Sequence, residues 1–459
     1  MNLKPEPGWA WSTLAVAGAA QFLVLLEATV ITIAVPQIGA DLGNGPALAW
    51  VLSAYLLAFG AFLLPGGAWA DRLGRRATFL GGLAIFTVAS LLCAIAPSLA
   101  LLVAARALQG AGAGVLAASA LGIVVATYTE PRRRAIAMTV WSTLGVIGGV
   151  VGSLSAGPLI AWLDWPSVFW INVVAVVLLF PPAVKVIRAE RTGQRAPRVA
   201  PAFVAAIGAT SLLLGLGVIE AHLWIGAAAL LGGLAIAGAA VAHQRRTHDP
   251  IIPVGLFKTS AYRWGAAGLF TANGIMIGTM FVFSQHLQQV LNVSATQASL
   301  AVLPMSVSAL LVALATDKLI GRYGSRTTLG LGAGALALGL ASLAGLSIVA
   351  PSWGWLVAGG FLVGAGLPAS FVPLNRMAFS VVDSAQAGAA SGLTNTITTL
   401  GGAFTVTAAT LADQLYGPAG GYALMLALTA TLAVAAARHG ARRAGSPASE
   451  AATANAVIG

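Results

Sequence analysis

Charge is scarce in this sequence. Only 8% of its 459 residues are Asp, Glu, Lys or Arg, 58% are hydrophobic, and the mean hydropathy is +0.89. That excludes a large water-soluble protein and indicates a polytopic helical membrane protein. Cysteine is nearly missing: Cys93 stands alone in an apolar run, so neither an internal disulfide nor a thiolate metal site can form. The five histidines, His222, His243, His248, His286 and His439, have no ligand spacing, so no metal and no cofactor is expected. No G-x-x-x-x-G-K-[ST] loop occurs, which excludes a pump driven by nucleotide bound to this chain. The apolar runs hold one Glu, one Arg and scattered hydroxyls, not a nucleophile with its base, so an enzyme is not expected.

What the sequence has is apolar runs of membrane-spanning length. Spans are predicted near 12–35, 48–70, 78–96, 99–127, 136–161, 167–187, 202–220 and 223–243, then 262–290, 296–316, 327–349, 353–374, 388–412 and 420–437. The first run continues to Val35 without a small-residue cleavage site, so it reads as a helix and not a removed signal. With both ends placed in the cytoplasm, every basic residue except Arg106 falls on the inside. Arg106 lies within a span. The net charge of +11 is therefore a topology pattern of short clusters, not a nucleic-acid face. Trp9, Trp50, Trp69, Trp162, Trp224, Trp264 and Trp353 sit near span ends, as an interfacial aromatic belt requires.

Between the second and third spans runs GAWADRLGRR, Gly67 to Arg76. Its Asp71, Arg72, Arg75 and Arg76 are too polar for lipid, so it is expected to be a loop that emerges into water or binds protein. Gly67 and Gly74 permit close approach and a tight turn there. A second copy, DKLIGRYGSR from Asp317 to Arg326, follows 250 residues later and aligns without gaps; Gly321 faces Asp71 and Gly324 faces Gly74. Six helices with their loops need about 190 to 200 residues, so some fifty remain between the repeats, enough for one extra helix pair. The expected organisation is a six-helix bundle at 1–190, two additional helices with linkers at 191–250, a second six-helix bundle at 251–440 and a disordered cytoplasmic tail at 441–459.

The pattern G-x-x-x-D-R-x-G-R-R resembles the loop signature of the major facilitator superfamily. The runs LLEATVITIAVPQI, WVLSAYLLAFG, RALQGAGAG, FWIN, LQQVLNVSATQASLAVLP and SGLTNTITTLGGA, in that order, resemble its fourteen-helix drug:proton antiporter family across nearly the whole chain. The resemblance implies a proton-coupled carrier that expels lipophilic or cationic small molecules by alternating access, a monomer in the plasma membrane; the excess of Arg over Lys, with the richness in Ala and Gly, points to a bacterial source. It makes Gly67, Asp71, Arg72, Gly74, Arg75 and Arg76 a gating loop, and Gly148, Gly152 and Gly157 of the fifth span the antiporter helix. Three positions depart from the family's usual residues: Glu27 stands for Asp, Thr32 for Asn and Ser153 for proline. A uniporter or a proton symporter for a small metabolite is the alternative on the same fold.

A proton-coupled carrier needs a buried carboxylate that exchanges its proton near neutral pH, which burial and a neighbouring cation together tune. Glu27 is the one acid deep in a span. It lies nine residues before Pro36, roughly 13 Å below the outer face, and Arg106 lies eight residues past Ser98, roughly 12 Å down an oppositely directed helix. Equal depth makes them the candidate proton-coupling pair, with a structural ion pair as the plainer reading. Glu220 reads as an interfacial carboxylate. Met276, Phe281 and Gln288 of the ninth span are candidates to line a substrate cavity.

Overall fold

The computed structural model describes residues 8–43, 46–188, 200–218, 222–246, 254–346, 353–382, 387–417 and 419–440, and among them regular structure is entirely helical. Seven helices precede the middle of the chain: α1 (Gly8–Leu42), α2 (Trp50–Leu73), α3 (Arg75–Ala94), α4 (Leu99–Thr127), α5 (Pro131–Leu163), α6 (Ser167–Val186) and α7 (Ala200–Val218). Six follow: α8 (Leu223–Arg246), α9 (Ser260–Gln285), α10 (Ala295–Leu346), α11 (Trp353–Phe379), α12 (Ala387–Tyr416) and α13 (Gly420–Gly440). Among the described residues, eleven helical stretches are long and apolar enough to cross a membrane by length and composition. One of these is α10, whose 52 residues at about 1.5 Å each would reach roughly 78 Å, more than twice a hydrocarbon core. It bends at Gly324 (φ 80°, ψ 158°) into two arms, each of spanning length.

The expected loops are shorter than the sequence suggests. Gly67 to Arg76 is not a ten-residue loop: helix α2 continues through Leu73, Gly74 alone leaves helical geometry (φ 93°, ψ 140°), and Arg75 starts α3. Ala68, Trp69 and Ala70 continue a helix readily, and a single glycine with positive φ suffices to reverse the chain. The second copy, expected as a loop over 317–326, is likewise helical except at Gly324.

Close packing comes from small residues placed one turn apart. In α4 a Cβ on Gly110 would come within 2.2 Å of the Tyr55 carbonyl oxygen, and one on Gly114 within 2.5 Å of that of Phe59, so this face lies flush on α2. Gly112, on the other face, meets the Phe86 backbone of α3 at 2.7 Å. Lipid offers helices no hydrophobic drive to associate, so such backbone-to-backbone contact supplies much of the adhesion. The bundle's outside carries the opposite chemistry: Val174, Val177, Leu178, Leu314 and Leu338 are exposed, as an acyl-chain environment requires.

Helices α1–α6 form one bundle and α9–α13 the other, and the two meet along seams. Along α2 and α12, Thr396 Oγ1 donates to the Gly60 carbonyl at 2.9 Å, and Ser53 shares a hydrogen bond of 3.0 Å with Thr407. Along α5 and α10, the Gly157 N–H donates to Ser299 Oγ at 2.8 Å. Helices α7 and α8 pair with each other, and α7 docks on α2 and α12. The expected tail at 441–459 and Glu220 lie outside the described residues.

Candidate functional site

Glu27 is placed by the middle of α1 and Arg106 by the second turn of α4, and both are completely buried. They are joined directly: Arg106 Nη1 donates to Glu27 Oε1. Equal depth, read from two distances along the sequence, thus becomes contact. The other carboxylate oxygen accepts from Asn172 Nδ2 of α6, which also donates to the Val168 carbonyl at 3.2 Å. The guanidinium is held on further sides. Its Nε donates to the Val51 carbonyl of α2 at 2.9 Å, and Nη1 is shared with Gln109 Oε1 at 2.5 Å. Its Cζ lies 4.3 Å from the centroid of the Tyr55 ring.

The network reaches a fifth helix. Gln109 Nε2 donates to Ser90 Oγ of α3 at 2.9 Å, and Ser90 in turn donates to the Phe86 carbonyl at 2.7 Å. A buried charge is tolerable only when paired and hydrogen-bonded, and this one is both. Three atoms are left over: Arg106 Nη2, Asn172 Oδ1 and the Tyr55 hydroxyl are buried without a hydrogen-bond partner among the described residues. Spare donor and acceptor capacity beside an ion pair lets the same side chains re-pair when the carboxyl changes charge. Gln109 and Ser90 escaped the sequence reading. The first was detectable, because a residue three positions after Arg106 shares its helix face; Ser90, a serine in an apolar span, gives no such signal.

The antiporter-helix glycines fall on two interfaces. A Cβ on Gly148 would lie 2.3 Å from the Phe22 carbonyl, and one on Gly152 would lie 2.3 Å from Thr29 Oγ1, so both seat α5 on α1 one turn from Glu27. Thr29 Oγ1 clamps the same contact by donating to the Gly149 carbonyl at 3.0 Å. Gly157 does something else: a Cβ there would lie 2.6 Å from the Thr296 backbone, so it seats α5 on α10 of the other half. Ser153 donates to the Gly149 carbonyl at 3.0 Å, and Pro158 sits within the helix five residues later.

The signature residues gather at one end of the bundle, around the Gly74 turn, far along α2 from Val51. Arg72 is exposed, Arg75 and Arg76 are half-buried, and the Arg75 side chain lies beside Gly122 of α4. The backbone of Asp71 belongs to α2, and its side chain lies outside what the structure describes. Of the proposed cavity residues, Phe281 and Gln288 border a cavity at the opposite end of the bundle, whereas Met276, half-buried in α9, does not.

Three comparisons bear on this architecture. A family model described as Major Facilitator Superfamily matches residues 17–406 and, in a second match, 265–455. The cephamycin export protein CmcT of Amycolatopsis lactamdurans is 38% identical over 411 residues, covering 86% of this chain and 83% of its own. The puromycin resistance protein pur8 of Streptomyces alboniger is 33% identical over 449 residues, covering 90% and 86%. Among solved structures, the POT family transporter PepTSo superimposes with a TM-score of 0.68 at 16% identity, covering 94% of this chain and 97% of its own, a likeness of fold alone.

Proposed function

This chain belongs to the major facilitator superfamily, and from that premise we propose that it is a secondary active transporter expelling lipophilic or cationic small molecules in exchange for protons. The names of its relatives speak for export over uptake, which disfavours a nutrient symporter or uniporter. It is a multi-pass membrane protein, and we place both termini in the cytoplasm because the basic residues then lie inside.

One observation carries the coupling: a fully buried carboxylate, Glu27, paired directly with a fully buried guanidinium, Arg106. In the outward-facing state an external proton neutralises Glu27 and loosens the pair. Arg106 is not stranded, since Gln109 and the Val51 carbonyl still accept from it. In the inward-facing state the attraction of Arg106 for the carboxylate helps expel the proton to the cytoplasm, and the pair re-forms. Movement of α1 against α4 is the conformational consequence, and Gly148 and Gly152 pass it to α5 along a tight seam.

The remaining assignments rest on the sequence. Gly67, Asp71, Arg72, Gly74, Arg75 and Arg76 form a cytoplasmic lock that opens and closes with the cycle. The two six-helix bundles rock about the site, with α7 and α8 as an added pair, and one chain suffices as the working unit. The test is direct. Adding ethidium to proteoliposomes that hold the purified protein and an imposed pH gradient should dissipate that gradient; a gradient indifferent to ethidium and to a panel of lipophilic drugs would overturn proton-coupled export.

A further inference from the structure

At the end of the bundle opposite the Gly74 turn, a cavity of about 810 Å³ lies between the two halves. Its wall includes Pro36, nine residues beyond Glu27 on α1 and therefore roughly 13 Å away along the helix. The lining is unusual for so apolar a protein. Gln37, Gln285, Gln288, Gln289 and Gln414 contribute five carboxamides, Asp413 contributes one carboxylate, and among the described residues no Lys, Arg or His takes part. Gln288 Nε2 donates across the halves to the Ile33 carbonyl at 3.0 Å and to Ser284 Oγ at 2.9 Å, fixing the wall. Gln285 Oε1 is buried and has no hydrogen-bond partner among the described residues.

Asp413 differs from Glu27 in the way that matters to a ligand. Glu27 is neutralised by Arg106 and hydrogen-bonded by Asn172, which leaves nothing for a substrate cation. Asp413 accepts one bond, from the Gly421 N–H at 2.6 Å, and pairs with no cationic side chain among the described residues. A carboxylate on the wall of a cavity of drug-like size, whose lining also includes Phe281 and a set of acceptor oxygens, matches a bulky organic cation.

We propose that this cavity is a substrate site, separate from the Glu27–Arg106 proton pair, which holds a lipophilic cation near the exit with Asp413 as counter-ion and the glutamines as a hydrogen-bonding collar. The inference rests on the efflux reading and adds to it a chemical class and a place. It also divides the labour: the deep acid handles the proton, the outer acid handles the cargo.

The probe is tetraphenylphosphonium, with the smaller, uncharged triphenylphosphine oxide as its neutral comparator, titrated into the full-length protein in nanodiscs. The wild type should bind the cation more tightly than the oxide. Asp413→Asn, which keeps an acceptor for the Gly421 N–H, should weaken cation binding about tenfold and erase most of the preference. Gln414→Cys supplies an independent reading, because Cys93 is buried: tetraphenylphosphonium should slow maleimide labelling of the new thiol, and the oxide should not. Equal cation affinity in wild type and Asp413→Asn, no preference in the wild type, or labelling indifferent to the cation would each overturn the site. Failure of the efflux reading is separate, since it appears in wild-type proteoliposomes as a pH gradient that no drug dissipates.

Discussion

Gly74 and Gly324, 250 residues apart, adopt the same backbone conformation and make the same capping contact. Their φ and ψ are 93° and 140° in the first case and 80° and 158° in the second. Thr78 Oγ1 donates to the Gly74 carbonyl at 3.1 Å, and Thr328 Oγ1 donates to that of Gly324 at 2.9 Å. The repeat is therefore a repeat of mechanics: each bundle reverses one helix into the next through a single glycine in a region closed to other residues. The charges around it have diverged. In the second copy Asp317 pairs with Arg376 of α11 at 2.6 Å, an exposed pair that contributes little on its own.

This predicts a backbone cost without any packing cost. Nothing lies within 4 Å of a Cβ placed on Gly324, so Gly324→Ala should destabilise through strain alone, by about 1–3 kcal/mol. Gly321→Ala, equally open but helical, should be neutral or slightly stabilising. Melting temperatures of the two purified variants decide it; equal values would mean that the positive φ is not required.

The α1–α5 seam predicts the opposite kind of cost. Gly148→Val would drive a side chain into the Phe22 backbone, which cannot yield as a flexible side chain can, so loss of folded protein or of transport is expected. Gly149→Ala meets only the Thr29 methyl at 3.7 Å and should be tolerated. Detergent-stable yield and efflux rate of both variants check the contrast.

Much of this was legible beforehand because membranes restrict what a chain can do. Apolar length marked the helices in advance. The depth of Glu27 and Arg106 could be counted because a helix rises uniformly. Other features depend on partners distant in sequence. Nothing near Ser90 announces Gln109, and the outer cavity draws its wall from five segments between Pro36 and Gln414. The loop at Gly67 to Arg76 was misread for a different reason: polarity identifies a stretch that leaves lipid but not its conformation, and a helix can leave lipid as well as a loop can.

The signature itself is tested at Asp71. Because α2 runs helical to Leu73, the backbone of Asp71 belongs to the last turn of that helix, and the lock proposed above has it hold a neighbouring helix in one state of the cycle. Asp71→Asn should lower the transport rate severalfold while expression and drug binding stay near wild type. A variant that pumps at the wild-type rate would reduce the segment to a topology signal.

The central prediction concerns Glu27, and its variants should separate proton chemistry from structural support. Glu27→Gln keeps the length and the hydrogen-bonding reach toward Arg106 and Asn172 but cannot carry a proton in exchange, so gradient-driven efflux should vanish while the protein remains folded. Arg106→Ala should do worse, because it leaves a buried carboxylate uncompensated, a defect of about 3–5 kcal/mol that shows as lost stability as well as lost transport. Glu27→Asp falls between them. Its carboxylate, one methylene shorter, cannot keep both Arg106 and Asn172 without movement of α1, yet it still exchanges a proton, so partial activity is expected. The measurement is efflux from proteoliposomes with an imposed pH gradient, paired with a melting curve for each variant. Full gradient-driven efflux by Glu27→Gln would move the proton site elsewhere, whereas a Glu27→Gln protein that melts early would make the pair a structural ion pair first and a coupling device second.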